Sequence, residues 1–140
     1  VLAKIPKAAR PETRRSAEAF ASFYVDQINV AFRRPGGESL LALSSSDCEA
    51  CRTYANTADD FRRRGQRQTA DLLEVTSATA AKYNDDTRQV NVFFEQRSVE
   101  VVDGKGSLVS RTSKGKGAFI MDLRFSKGHW QTIQIKTFSG

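Results

Sequence analysis

The apolar residues of this chain recur at helical spacing before Gly65 and at strand spacing after it. That change of period restricts the fold to helices first and strands afterwards, because a 3.6-residue repeat buries a helix stripe and a two-residue repeat buries one face of a strand. In the first half, Ala17, Phe20, Tyr24, Ile28 and Ala31 are spaced by three and four, and Phe23 and Phe32 widen the stripe. A helix is predicted here, entered through Pro11 and stopped by Arg33-Arg34-Pro35-Gly36-Gly37, where basic residues in the last turn precede Pro and Gly. Leu40, Leu41 and Leu43 allow no more than about two helical turns. A second long helix follows over 47–64, carried by Cys51, Tyr54, Ala58 and Phe61. Ser46 and Glu49 match a capping box, which places Cys48 at the second helical position. Arg62, Arg63 and Arg64 complement the negative end of that helix.

Beyond Gly65 the alternation Leu73, Val75, Ser77, Thr79, Ala81, Tyr83 predicts one face of a strand, closed by a turn at Asn84-Asp85-Asp86. Val90, Val92 and Phe94 form the next strand. Val99 and Val101 resume on the other parity, which predicts a break near 96–98. Asp103-Gly104 is a hairpin signal. The four glycines and scattered Ser and Lys of 104–117 read as a mobile arm. Phe119, Met121, Leu123 and Phe125, the turn Ser126-Lys127-Gly128-His129, and Trp130, Thr132 and Ile133 to Ile135 complete the sheet. The expected class is α+β, with the N-terminal helices packed on a curved, mainly antiparallel four-stranded sheet. Residues 1–10, with Pro6 and three basic side chains, are expected to be a flexible linker, and 11–140 one domain. The 140 residues suffice for a core, since a chain of this length buries roughly 70% of its unfolded surface.

Cys48 and Cys51, the only cysteines, admit four readings: a disulfide, a redox couple, half a metal site, or two buried thiols. Three residues apart on a helix, their Cα atoms lie about 5 Å from each other, within reach of a disulfide. A thioredoxin-like couple follows a strand, whereas this pair follows a helix and a short apolar turn. Zinc wants four ligands, and His129 is the sole histidine. A structural disulfide in an oxidising compartment is the favoured reading, with no metal and no cofactor. His129 sits in a predicted turn, a solvated position, so no catalytic residue is assigned. The 22 Lys and Arg against 16 Asp and Glu give a net charge of +6, which favours anionic neighbours. The basic runs lack interleaved aromatics, which disfavours specific nucleic-acid binding. No apolar run approaches the ~18 residues of a spanning helix. An opening at Val1 in place of methionine is expected of a mature or trimmed chain, with room for an export signal already removed.

Long helix, leucine turn, Cys-x-x-Cys helix and four-stranded sheet together resemble the nuclear transport factor 2-like cone fold. More narrowly, the chain resembles an uncharacterised family of actinobacterial lipoproteins. The residues that carry this are Ala17-Glu18-Ala19-Phe20, Tyr24-Val25-Asp26, Asn29-Val30-Ala31, Leu40 to Leu43, and the Ser44-Ser45-Ser46-Asp47-Cys48-Glu49-Ala50-Cys51 element, with Gly128-His129-Trp130 at the last hairpin. The resemblance implies an exported protein at the extracellular face of the cell membrane, held by an upstream lipid anchor, with 1–10 as the remains of its linker. The expected function is a non-enzymatic module binding a ligand or an envelope partner, with Phe20, Tyr24, Phe94, Phe119 and Trp130 as candidate pocket or core residues. Arg62, Arg63 and Arg64 are candidate contacts to an anionic wall polymer. The alternative is a cone-fold isomerase, dehydratase or hydrolase acting on a small apolar substrate, which needs a titratable group inside the cleft. The disulfide is checked directly by alkylation and intact mass without reductant: the expected result is no modified cysteine, and two modified thiols would refute it.

Overall fold

The computed structural model describes residues 2–139, and the side chains of 2–137. Helix α1 spans Arg14–Arg33, α2 Glu38–Ala42 and α3 Glu49–Arg63. The Thr13 hydroxyl caps α1 by accepting the Ser16 N–H at 3.1 Å, and the stripe of Ala17, Phe20, Tyr24, Ile28 and Ala31 is buried as its spacing requires. Gly37 begins α2 against α3, where a Cβ would come within 2.5 Å of the Ala55 carbonyl oxygen. Only glycine allows that approach, and its N–H donates to Asp59 Oδ1 at 2.9 Å.

Strands β1 (Arg67–Gln68), β4 (Glu100–Val102) and β5 (Leu108–Arg111) form a small antiparallel sheet in the order β1-β4-β5. Strands β2 (Leu73–Tyr83), β3 (Arg88–Gln96), β6 (Gly115–Ser126) and β7 (His129–Ser139) form the main antiparallel sheet, ordered β2-β3-β6-β7. The α+β architecture with helices packed on an antiparallel sheet is therefore the observed one. Lys127 and Gly128 both adopt positive φ at the β6–β7 turn, as a tight two-residue hairpin demands.

Four expectations need correction. The capping box does not form: α3 begins later, with Cys48 as its N-cap, and the Cys48 sulfur accepts the Cys51 N–H at 3.2 Å. Ser45 instead turns back on its own segment, its hydroxyl accepting the Asp47 N–H at 3.2 Å. Residues 2–10 are not a loose linker, because two 3-10 turns bury Ile5 and Ala9 in the core while Arg10 Nε donates to the Ile5 carbonyl at 2.8 Å. Pro6 and the surrounding cations hid this apolar pair at i, i+4. The supposed mobile arm of 104–117 is the β4–β5 hairpin plus the start of β6, its turn held by Asp103 Oδ1, which accepts from the Lys105 and Ser107 N–H groups. Finally, register shifts between Val75 and Ser77 and between Ala80 and Lys82 move the buried face of β2 to Leu73, Val75, Ala78 and Ala80. A bulge flips every later side chain, so simple alternation misassigned the face.

Each edge of the main sheet is covered in part. On β2, the buried Asn29 of α1 accepts the Leu72 and Leu73 N–H groups at 3.1 and 2.9 Å and donates to the Leu73 carbonyl at 2.8 Å. Glu18, eleven residues earlier on the same helix, accepts the Ala80 N–H at 2.7 Å beside the second bulge. On β7, the strap between α2 and α3 pairs with Thr132, whose N–H donates to the Leu43 carbonyl at 3.0 Å and whose carbonyl accepts the Ser45 N–H at 2.8 Å. Asn29→Ala strips two donors and an acceptor of their partner in a buried site and should lower stability by about 3 kcal/mol. Urea denaturation checks this; a change under about 0.5 kcal/mol, the level of a neutral surface substitution, would contradict the edge clamp.

Candidate functional site

The space between α1, α3 and the main sheet is filled at one end and open at the other. At the filled end Trp130 is wholly buried, its indole N–H donating to the Pro11 carbonyl at 3.0 Å, with Phe125 and Tyr83 ring centroids 5.1 and 6.3 Å away. Arg88 lies over the Tyr83 ring at 4.5 Å and reaches Glu12 at 3.0 Å, sealing the entry of the chain onto the sheet.

At the other end a cleft of about 500 Å³ runs between the helices and the sheet. Its walls are Ile28 and Phe32 of α1, Tyr54 of α3, Leu73, Phe94 and Phe119, and Gln96, Lys114, Lys116 and Thr137 complete the lining toward solvent. The Phe94 and Phe119 rings stand 4.7 Å apart, and Tyr54 meets Phe119 edge-on at 6.0 Å. The opening has a simple cause in the sequence. Gly115 and Gly117 lie in register opposite Gln96 and Phe94, at the β6 positions in phase with Phe119 that face the helices. Both lack the side chain that would fill the space, and a Cβ added at Gly115 would meet nothing within 4 Å. Lys116, between them, points to the outer face, opposite Glu95.

Of the candidate pocket residues, Phe94 and Phe119 line this cleft, while Phe20, Tyr24 and Trp130 lie in the sealed core. Sequence reasoning missed Gly115, Gly117, Ile28, Phe32 and Tyr54 as lining residues. The signal was present in Lys114-Gly115-Lys116-Gly117 running into Ala118-Phe119, a two-residue alternation that was read as loop composition. Among the described lining residues there is no His, Asp or Glu, so proton transfer there would fall to Tyr54 and Lys114. Burial holds the Tyr54 phenol above its ordinary value. His129 is the first residue of β7, just past the β6–β7 turn, its Nδ1 3.0 Å from the Trp130 carbonyl oxygen.

Cys48 and Cys51 form a disulfide, with Cα atoms 5.2 Å apart, and both are fully buried. Arg62 pairs with Glu38 at 2.7 Å and Asp59 at 3.0 Å, and Arg63 pairs with Asp60. The Arg62 guanidinium holds the Glu38 carboxyl below its usual range. Arg64 follows α3 as its exposed C-terminal cap. The three-arginine run is thus largely neutralised by the carboxylates around it. No cluster of three or more His, Cys, Asp or Glu that could hold a metal occurs among the described residues, and none of their helices is long and apolar enough to cross a membrane.

Tyr24 shows what the sealed core does to a polar atom. Its hydroxyl is buried beside Ser44 and Tyr54 with no aligned hydrogen-bond partner, and burial raises its pKa far above the ordinary value. A phenol raised on folding favours the folded state below its unfolded pKa, about 10, and that contribution is lost as pH rises above it. Tyr24→Phe should therefore leave stability at neutral pH unchanged or higher by about 1 kcal/mol, and should reduce the loss of stability above pH ~10. Thermal melts across pH check both; a variant as alkali-sensitive as the parent would contradict the burial of this hydroxyl.

Comparison with known proteins places the fold. The intermembrane-space region of the chloroplast protein ARC6 superimposes with a TM-score of 0.65 at 15% identity, over 93% of this chain and 99% of that one. A Xanthomonas campestris protein assigned as a calcium/calmodulin-dependent protein kinase II association domain superimposes with a TM-score of 0.51 at 16% identity, over 96% and 94% of the two chains. One assigned as a polyketide cyclase, also from Xanthomonas campestris, gives 0.46 at 15% identity, over 89% and 93%. The comparison with curated proteins returns no match. Identities this low speak for a shared fold alone. In sequence, the match runs over residues 4–136, and the chain belongs to the family of unknown function DUF6318.

Proposed function

We propose that this domain is a non-enzymatic binding module that takes a small, largely apolar molecule into the cleft between α1, α3 and β6. The observation that carries the reading is the pair Gly115 and Gly117, which leaves a preformed space beside Phe94 and Phe119 in a domain whose opposite end is packed solid. A cleft of about 500 Å³ falls in the range of small-molecule sites, and its apolar walls with a few polar groups at the mouth are the usual composition of one. Tyr54, Gln96 and Lys114 would orient a polar group at the outer end of the ligand. Enzymatic use of the cleft is the weaker reading, since the described lining lacks the carboxylate or imidazole that acid–base work on a small apolar substrate would use.

The setting belongs to the same proposal. A buried disulfide closing only the first turn of a helix is stable in an oxidising compartment, which supports an extracytoplasmic location. Anchoring at the cell surface through an upstream lipid rests on the likeness to the lipoprotein family described above, in which the Ser44-to-Cys51 element is the most specific part. With Arg62 and Arg63 paired to carboxylates, the cleft is a better-supported place for a partner molecule than the arginine run is for an anionic wall polymer.

Gly115→Leu tests the reading. The position has room for a side chain and its φ is not positive, so the variant should melt like the parent while its isobutyl group fills the cleft. Titrated with the amphipathic fluorophore 1-anilinonaphthalene-8-sulfonate, whose aromatic rings fit the apolar walls, the parent should show saturable emission that Gly115→Leu weakens at least tenfold. Equal binding by a well-folded Gly115→Leu, or no binding by the parent, would overturn the cleft as a binding site.

A further inference from the structure

Beyond the strap, the β7 edge of the main sheet keeps a free stretch, and it faces a second groove. Thr132 of β7 already exchanges both backbone groups with the strap, its N–H donating to Leu43 and its carbonyl accepting from Ser45, in a parallel bridge centred on Ser44. Residues of a strand whose side chains share a face also direct their backbone groups to the same edge. A register shift between Asp122 and Leu123 leaves Ile133 as the extra residue of β7, so the phase of Thr132 passes to Ile135, which is buried toward the helices, and to Thr137. Their N–H and C=O groups therefore point away from β6, along the line where the strap has ended.

That edge is one wall of a groove of about 440 Å³ whose other wall is Asp47 at the end of the strap and the first turns of α3, with Glu49, Thr53 and Tyr54. Asp47 and Glu49 are exposed, and among the described residues neither has an ion-pair partner. An exposed strand edge invites pairing and is usually blunted by charge, by proline or by cover. Here the cover stops at Ser45, no proline lies on β7, Lys136 of β7 stands on the opposite face of the sheet from Ile135 and Thr137, and the charged residues lining the groove, Asp47 and Glu49, are both acidic.

We propose that this groove is a docking site for an extended segment of a partner protein, added as a fifth strand beside Ile135 and Thr137. The occupant is a stretch of about five residues, at ~3.4 Å each, pairing through its backbone and carrying Lys or Arg side chains toward Asp47 and Glu49. Small or β-branched side chains fit its other positions, between Ile135 and Tyr54. The site is independent of the cleft ligand, although Tyr54 and Thr137 border both spaces.

The test uses the whole domain labelled with 15N and three acetylated, amidated pentapeptides of alternating Thr and Val: one ended by lysines, one by glutamates, and the lysine peptide N-methylated at alternate backbone nitrogens. The lysine peptide should shift the Ile135 and Thr137 amides and slow their hydrogen exchange, weakening severalfold with added salt and in Asp47→Asn/Glu49→Gln. The N-methylated peptide should not bind. Absence of these shifts at millimolar lysine peptide, or equal binding after N-methylation, overturns strand addition. Equal binding of the glutamate peptide overturns the basic partner. Shifts confined to Phe94 and Phe119 place the peptide in the cleft instead, and Ile135 and Thr137 amides that already change with protein concentration assign the edge to a second copy of the chain; either result overturns the proposal.

Discussion

Asn29 and Glu18 reach from α1 to the backbone of β2, and the placement of everything else follows from that attachment. Asn29 presents one acceptor to two N–H groups and one donor to a carbonyl, much as a neighbouring strand would. Glu18, about three helical turns earlier, takes the N–H of Ala80 beside the β2 bulge. With two fixed points on one strand, α1 cannot slide or swivel on the sheet. Its apolar stripe is held over β2 and β3, α3 follows behind the Gly37 contact with Ala55, and the strap reaches the far edge at Thr132. Such buried polar links add less to stability than the apolar core, but they select one arrangement among several that would bury the same surface, because any other leaves buried groups unpaired.

Once the helices are fixed, the two ends of the layer differ because of the side chains β6 and β7 supply. The turn end carries Phe125 and Trp130, which with Tyr83 and Arg88 close the space against Pro11 and Glu12. The opposite end carries Gly115 and Gly117, which line the open cleft there. A fold shared with chains only 15–16% identical thus becomes particular through two missing side chains. The disulfide belongs to the scaffold: it fixes the first turn of α3, and Tyr54, one turn later, forms the wall between the cleft and the edge groove.

Much of the fold was legible in the sequence. The helical stripe from Ala17 to Ala31, the strands around Val90 to Phe94 and Phe119 to Leu123, and the turn at Lys127-Gly128 all follow from periodicity and turn chemistry. What escaped depended on tertiary contacts. A bulge has no sequence signature of its own, so the inner face of β2 was assigned by alternation that the fold interrupts twice. Ile5 and Ala9 are too few to register as an element until α1 offers them a surface. The S-x-x-E pattern competes with a chain direction set by the strap and the disulfide, which hand the cap to the Cys48 sulfur. The site was half legible, since Phe94 and Phe119 were read as inward residues, but the inward glycines beside them look in sequence like a flexible arm.

The space beside Phe94, Phe119 and Gly117 is a preformed cleft with apolar inner walls, held open by the fold. A crystal of the domain pressurised with xenon examines it directly, because xenon enters preformed apolar cavities of sufficient size. A xenon atom is expected among Ile28, Phe94, Phe119 and Gly117, with the side chains around it unmoved. A cleft collapsed by inward movement of Phe32 or Tyr54, with xenon absent, would contradict it.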